Sequence, residues 1–146
     1  MDIMSNFAEN LSALMSEQNL KAPALAKILK TDRSNITRYL RGERLPLFNG
    51  FIALITYFNV SADVILGRSD YATETQFLPV PPFGQQLRKV MEETKTTQYR
   101  IEHDANVSGG SMYKWLKNQS VPTVETLVKL ANYMDISVDY LLGRIQ

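Results

Sequence analysis

The stretch LAKILKTDRSNITRYLRGERLP, residues 25–46, carries two helical stripes separated by three residues that suit a turn. Ala22 to Leu29 reads as one helix, Lys30 to Asp32 as the turn, and Arg33 to Arg41 as a second helix. Leu25, Ala26, Leu29, Ile36 and Tyr39 are spaced to close around that turn, and the small Ala26 lets the two helices approach. With Ile36, Tyr39 and Leu40 turned inward, the opposite face of the second helix presents Arg33, Ser34, Thr37, Arg38 and Arg41. Residues 21–44 hold seven lysines and arginines against Asp32 and Glu43, a net charge of +5.

The pattern returns 76 residues further on, as IEHDANVSGGSMYKWLKNQSVP, residues 101–122. Residues 6–68 align on 82–144 without gaps, with identities that include Phe7/Phe83, Leu11/Leu87, Pro46/Pro122, Leu54/Leu130 and Gly67/Gly143. This predicts a tandem duplication with boundaries at 1–68 and 82–146, joined by a linker over 69–81 that contains Pro79 and Pro81. Each copy opens on a helical stripe, Phe7, Leu11, Leu14 and Met15 in the first and Phe83, Leu87, Val90 and Met91 in the second. A later stripe, Leu47, Phe51, Leu54, Ile55 and Phe58, is matched by Val124, Leu127, Val128, Ala131 and Met134, behind Pro122 and the expected cap Thr123. Ser61 and Ser137 suit N-caps of a last short helix that Gly67 and Gly143 end. Strand signals are absent, so each copy is expected to be an all-α unit of about five short helices.

Composition narrows the chemistry. The 146 residues are 45% hydrophobic and 21% charged, which fits a folded globular chain. The longest mostly apolar stretch, Phe51 to Val60, is too short for a membrane span, and the first ten residues lack a basic, apolar leader; the expected location is cytoplasmic, with no membrane partner. There is no cysteine, so disulfides and thiolate chemistry are excluded, and the single histidine, His103, has no partner at metal-ligand spacing. Glu92 and Glu93 are neighbours about 100° apart on a helix and so do not share a site. No nucleophile elbow, phosphate loop or triad occurs; the expectation is no enzyme, no catalytic residue, no cofactor, no metal and no small-molecule substrate. The net charge of +1 is uninformative as a whole-chain average. Its concentration in residues 21–44 marks either a solvated, charged helix face, the commoner case for an isolated helix, or a surface for a polyanion.

The two helix-turn-helix segments, together with the closing stretches SADVILGR (61–68) and SVDYLLGR (137–144), resemble two tandem copies of the Cro/cI-type family, also called XRE or lambda-repressor-like. The resemblance implies an all-α fold of two tandem five-helix lambda-repressor-like helix-turn-helix domains, the third helix of each entering the DNA major groove. In the first copy it places Lys30, Arg33, Ser34, Thr37, Arg38, Arg41 and Arg44 at the DNA. Arg33 and Arg38 suit bidentate donation to guanine, and Lys30, Arg41 and Arg44 suit phosphate. In the second copy it places Gln98, Ser108, Gly109, Gly110, Tyr113, Lys114 and Lys117 there, although residues 97–120 carry a net charge of only +1. Gly109 and Gly110 either permit close approach of backbone amides to phosphate or bases, or mark a surface that no longer reads. Gln98 stands where the family often has a phosphate-contacting glutamine, a position held by Ala22 in the first copy. The family's turn glycine is replaced by Lys30 and Asn106, of which asparagine tolerates positive φ better. Glu102 stands where the first copy has Ala26, so its carboxylate must turn outward or pair with His103 or Arg100.

The function implied is a sequence-specific double-stranded DNA-binding transcriptional regulator, a phage- or bacterial-type repressor acting by steric occupation of a promoter, and expected to be a homodimer. Either both copies read DNA, with a thirteen-residue linker reaching about 40 Å, or the first reads and the second dimerises. The chain ends just after the second Gly-Arg, leaving no segment expected to act as a sensor. The rival reading is a protein-interaction module, antitoxin- or inhibitor-like, that binds a partner protein through Tyr113, Trp115 and the glycines.

Overall fold

The first helix starts at Asp2, whose carboxylate accepts a hydrogen bond from the Ser5 N–H at 2.8 Å. That bond holds its carboxyl below the ordinary carboxylate range. The computed structural model describes residues 2–71 and 76–146. They form ten α-helices and no strand, in two compact units, Met1–Thr75 and Gln76–Gln146.

The first unit contains α1 (Ile3–Glu17), α2 (Ala22–Leu29), α3 (Arg33–Leu40), α4 (Phe48–Phe58) and α5 (Ala62–Ile65). Its core is Phe7 and Leu11 from α1, Leu25 from α2, Ile36 from α3, Phe51, Leu54 and Ile55 from α4, and Ile65 and Leu66 behind them. The Phe7 ring meets Tyr39 edge-on at 6.1 Å and Phe51 at 6.2 Å, so α1 packs against the inner face of α3 on one side of that ring and α4 on the other. Two asparagines of α1 tie down the end of α5. Asn10 donates to the Val64 and Ile65 carbonyls at 3.1 and 3.0 Å, and Asn6 to that of Leu66 at 3.3 Å. Leu47, expected in the core, is 68% exposed. It is the N-cap residue of α4, with extended backbone, and Phe48 takes the buried position. Leu14, Leu29 and Leu40 are half-buried rather than core.

The second unit contains α6 (Phe83–Thr94), α7 (Gln98–Asp104), α8 (Gly109–Leu116), α9 (Val124–Met134) and α10 (Val138–Leu141). Leu87, Val90, Ile101, Met112, Leu127, Leu130, Ala131, Leu141 and Leu142 are fully buried, and Trp115 lies edge-on to Phe83 at 6.4 Å. A Cβ on Gly84 would collide with the Trp115 and Leu116 carbonyls, so α6 packs backbone to backbone on the end of α8. Arg144, 2% exposed, pairs with Asp139 at 2.6 Å and is covered by the Phe77 ring, 4.1 Å from its guanidinium carbon. The Leu78 N–H donates to the Arg144 carbonyl at 2.8 Å, and Pro81 lies against Gly143. The expected linker over 69–81 is therefore too long at its second end, because residues 77–81 are held on the second unit; residues 72–75 lie outside the described residues.

Side-chain capping differs between the units. Thr97, Ser108, Thr123 and Ser137 accept N–H bonds at the heads of α7 to α10, whereas α2, α3 and α4 have no such bond. Loss of one cap costs about 1 kcal/mol. Ser137→Ala, which removes the 2.9 Å bond from the Tyr140 N–H, is expected to lower the melting temperature of this unit by about 4–8 °C. The buried Trp115 supplies the fluorescence signal, and an unchanged melt would show that water replaces the cap without loss.

Candidate nucleic-acid interface

The corner between α2 and α3 is closed by Lys30 in the left-handed region, φ 57°, ψ 46°. Its N–H and that of Thr31 satisfy carbonyls of the last turn, with Thr31 reaching the Ala26 oxygen at 2.9 Å. Lysine accepts this conformation at a cost of about 1–2 kcal/mol. Leu25, Ala26, Ile36 and Tyr39 are buried within the corner. What α3 shows to solvent is Arg33, Ser34 and Arg38 exposed, Thr37 half-buried, and Arg41 exposed at its end. These five, with Asp32 and Glu43, line a concavity of about 670 Å³. The Thr37 hydroxyl donates back to the Arg33 carbonyl at 3.1 Å, which leaves its oxygen lone pairs able to accept.

Lys30 is exposed at the corner. Arg44 is placed differently from expectation. It is half-buried and turned back toward α3, with its Nη1 3.4 Å from Asn35 Oδ1, while Asn35 Nδ2 donates to Thr31 Oγ1 at 2.9 Å. Arg44 also faces Tyr39, whose phenol is pushed up by burial and only partly relieved by that positive charge. The geometry makes Arg44 a brace between the loop after α3 and the turn before it.

The second corner turns through Asn106, φ 55°. Gln98 is half-buried in the first position of α7, behind the Thr97 cap. Ser108 accepts from the Ser111 N–H at 3.1 Å and donates to the Ser111 hydroxyl at 2.8 Å, so its side chain is used at the head of α8. Gly110 faces open space. Gly109 does not: a Cβ there would stand on the Glu102 carboxylate. Glu102 thus reaches the first turn of α8, and among the described residues it makes no ion pair with Arg100 or His103. His103 instead stacks on Tyr99 at 4.3 Å. Tyr113 is 55% exposed, with the Lys117 ammonium 5.6 Å from its ring centre. Lys114 is exposed and lines, with Ser108, Gly110, Ser111 and Trp115, a concavity of about 500 Å³. The flanks of the unit are tied by tyrosines. The Tyr133 hydroxyl donates to Asp104 at 2.8 Å and that of Tyr140 to Glu93, and both bonds raise the tyrosine pKa.

Sequence reasoning missed the Glu102–Gly109 contact, the Asn35–Arg44 brace and the Phe77–Arg144 stack. Only the first left a readable signal, since both residues depart from their first-copy counterparts, Ala26 and Arg33. Among the described residues no group of three or more histidines, carboxylates or thiols could hold a metal ion, and no helix is long and apolar enough to cross a membrane.

Residues 87–141, from α6 to α10, match the family model described as Helix-turn-helix. A protein of Methanococcus maripaludis (strain C5) named as an HTH-type transcriptional regulatory protein is 26% identical over 92% of this chain and 45% of its own length. The HTH-type transcriptional regulator ImmR of Bacillus subtilis is 28% identical over 42% of this chain and 48% of its own. The match thus extends over about half the length of these relatives. No solved structure matches the chain.

Proposed function

We propose that this chain is a sequence-specific double-stranded DNA-binding transcriptional regulator, built as two tandem five-helix units, with the first as principal reader. The observation that carries the reading is the outer face of α3: Arg33, Arg38 and Arg41 project with Ser34 and Thr37 from a helix whose inner face is locked in the core. A rigid helix end bearing two or three guanidinium groups and short hydroxyl side chains suits a groove, because arginine can donate bidentately to guanine and a hydroxyl can donate to or accept from a base edge. Lys30 at the corner supplies phosphate contact. The regulators' names and the helix-turn-helix match, which lies over residues 87–141 of the second unit, support the coarser reading of a DNA-binding transcriptional regulator. Regulation is by steric occupation of a promoter, as a repressor, with two chains covering a palindrome and the second unit contributing dimerisation.

The test is selection of bound fragments from a random double-stranded pool by the intact protein, followed by titration of the recovered site against salt. The expected result is a single palindromic half-site and a steep negative salt slope, about 0.9 per phosphate neutralised. Two different half-sites at fixed spacing would assign DNA reading to both units. No enrichment would overturn the reading in favour of a module that binds a protein partner, for which the exposed Tyr99 and Tyr113 of the second unit are the favouring observation.

A further inference from the structure

The two corners differ at one coupled pair of positions. Ala26 on α2 and Arg33 at the head of α3 correspond, 76 residues on, to Glu102 on α7 and Gly109 at the head of α8. Ala26 is buried where the helices meet, and Arg33 is exposed. A glutamate at that place must send its carboxylate somewhere. In the second unit it goes over the first residue of α8, into the space a side chain there would take, since a Cβ on Gly109 would lie on Glu102 Oε1 and 3.3 Å from its Cδ. The partial positive charge of the first-turn amides favours an anion there. Ser108 already serves the Ser111 N–H, so the carboxylate and the serine occupy the helix head together. The same point of the corner is therefore cationic in the first unit and anionic in the second. A phosphate approaching the head of α8 comes within a Debye length of about 10 Å of that carboxylate and is repelled.

We propose that Glu102 and Gly109 act as one specificity-determining pair, which inverts the charge at the head of α8 and turns the DNA backbone away from the second corner. The inference rests on the DNA-reading role proposed above. Both positions contribute: glycine alone leaves a neutral helix head, and with a side chain at position 109 the glutamate would have to turn its carboxylate off the helix head.

The test uses the full chain with the first face silenced by Arg33→Ala, Arg38→Ala and Arg41→Ala, binding a mixed-sequence duplex over a salt series. In that background Glu102→Gln, which keeps the shape and removes the charge, is expected to raise affinity about three- to tenfold. Glu102→Ala with Gly109→Arg is expected to raise it more than tenfold and to steepen the salt slope by about 0.9, one added phosphate contact. Gly109→Arg alone is expected to fall short of that gain, because the new side chain meets the carboxylate. Unchanged affinity and slope for Glu102→Gln and the double variant, or a full gain from Gly109→Arg alone, would overturn the proposal. If the unsubstituted chain binds no DNA, the DNA-reading role itself fails. Melting of the same variants, followed through Trp115, then shows whether the pairing survives as a packing feature alone, which also overturns its part in recognition.

Discussion

Arg38→Ala is expected to lower affinity for the selected DNA site by about 5- to 150-fold, the 1–3 kcal/mol of one bidentate arginine contact. Binding to mixed DNA is expected to lose only the share of a single cation, so selectivity collapses while a salt-sensitive residue of affinity remains. Arg38 is exposed on α3 between Ser34 and Arg41, on the face opposite the buried Ile36 and Tyr39. Its backbone carbonyl holds the Glu43 N–H at 3.0 Å, a bond that alanine keeps. An exposed substitution of this kind changes stability by no more than about 0.5 kcal/mol. An unchanged melt together with lost selectivity is thus the signature of a contact residue. Lys114→Ala, at the corresponding place on α8, is expected to change selected-site affinity little, since residues 97–120 carry a net charge of only +1. Comparable losses from the two substitutions would remove the distinction between a principal reader and a second unit.

Much of the helical frame was legible because it is written in short-range periodicity. The Leu25, Ala26, Ile36 and Tyr39 spacing located α2 and α3, and the structure places them at Ala22–Leu29 and Arg33–Leu40. Periodicity fails at a register of one residue, as Leu47 shows. A 3.6-residue stripe accommodates either Leu47 or Phe48, and the backbone at 47 is still extended, so the neighbour is buried instead. The charged face of α3 could be read from the sequence because it is the complement of the buried one. Arg44 could not, because a long side chain beyond the helix end chooses between solvent and any acceptor in reach, and here Asn35 is in reach. Phe77 and Leu78 read as linker because Pro79, Pro81 and Pro82 follow them; their anchoring on Arg144 depends on a residue 66 or 67 positions away in sequence, which no local pattern encodes. Glu102 and Gly109 were each noticed for a separate cost, a buried charge and a weak helix start. Their contact across the corner turns the two costs into one arrangement.

The largest expected loss of stability comes from Phe7→Ala. Phe7 is fully buried, and its ring touches Tyr39 of α3 and Phe51 of α4, so it supports α3, the proposed reading helix, from behind. Truncating such a ring costs about 3–5 kcal/mol, the lost transfer energy plus the cavity left by partial relaxation. A domain of some 70 residues has about 4–10 kcal/mol in total at 0.05–0.15 kcal/mol per residue, so the substitution consumes much or all of it. The first unit is therefore expected to melt far below its normal temperature, and DNA selectivity to vanish with it, although no contact residue has changed. Trp115, the only tryptophan, is buried in the second unit and separates the two causes. Since the ten helices divide evenly, five to a unit, about half of the far-ultraviolet helical signal should be lost while the tryptophan emission stays native. Phe7→Leu, which keeps most of the volume, should restore both the helical signal and selectivity; an arginine contact could not be rescued that way. A tryptophan shift that coincides with the loss of helix would mean that the units melt as one cooperative body, and the stability of the second would then have to include interactions with the first.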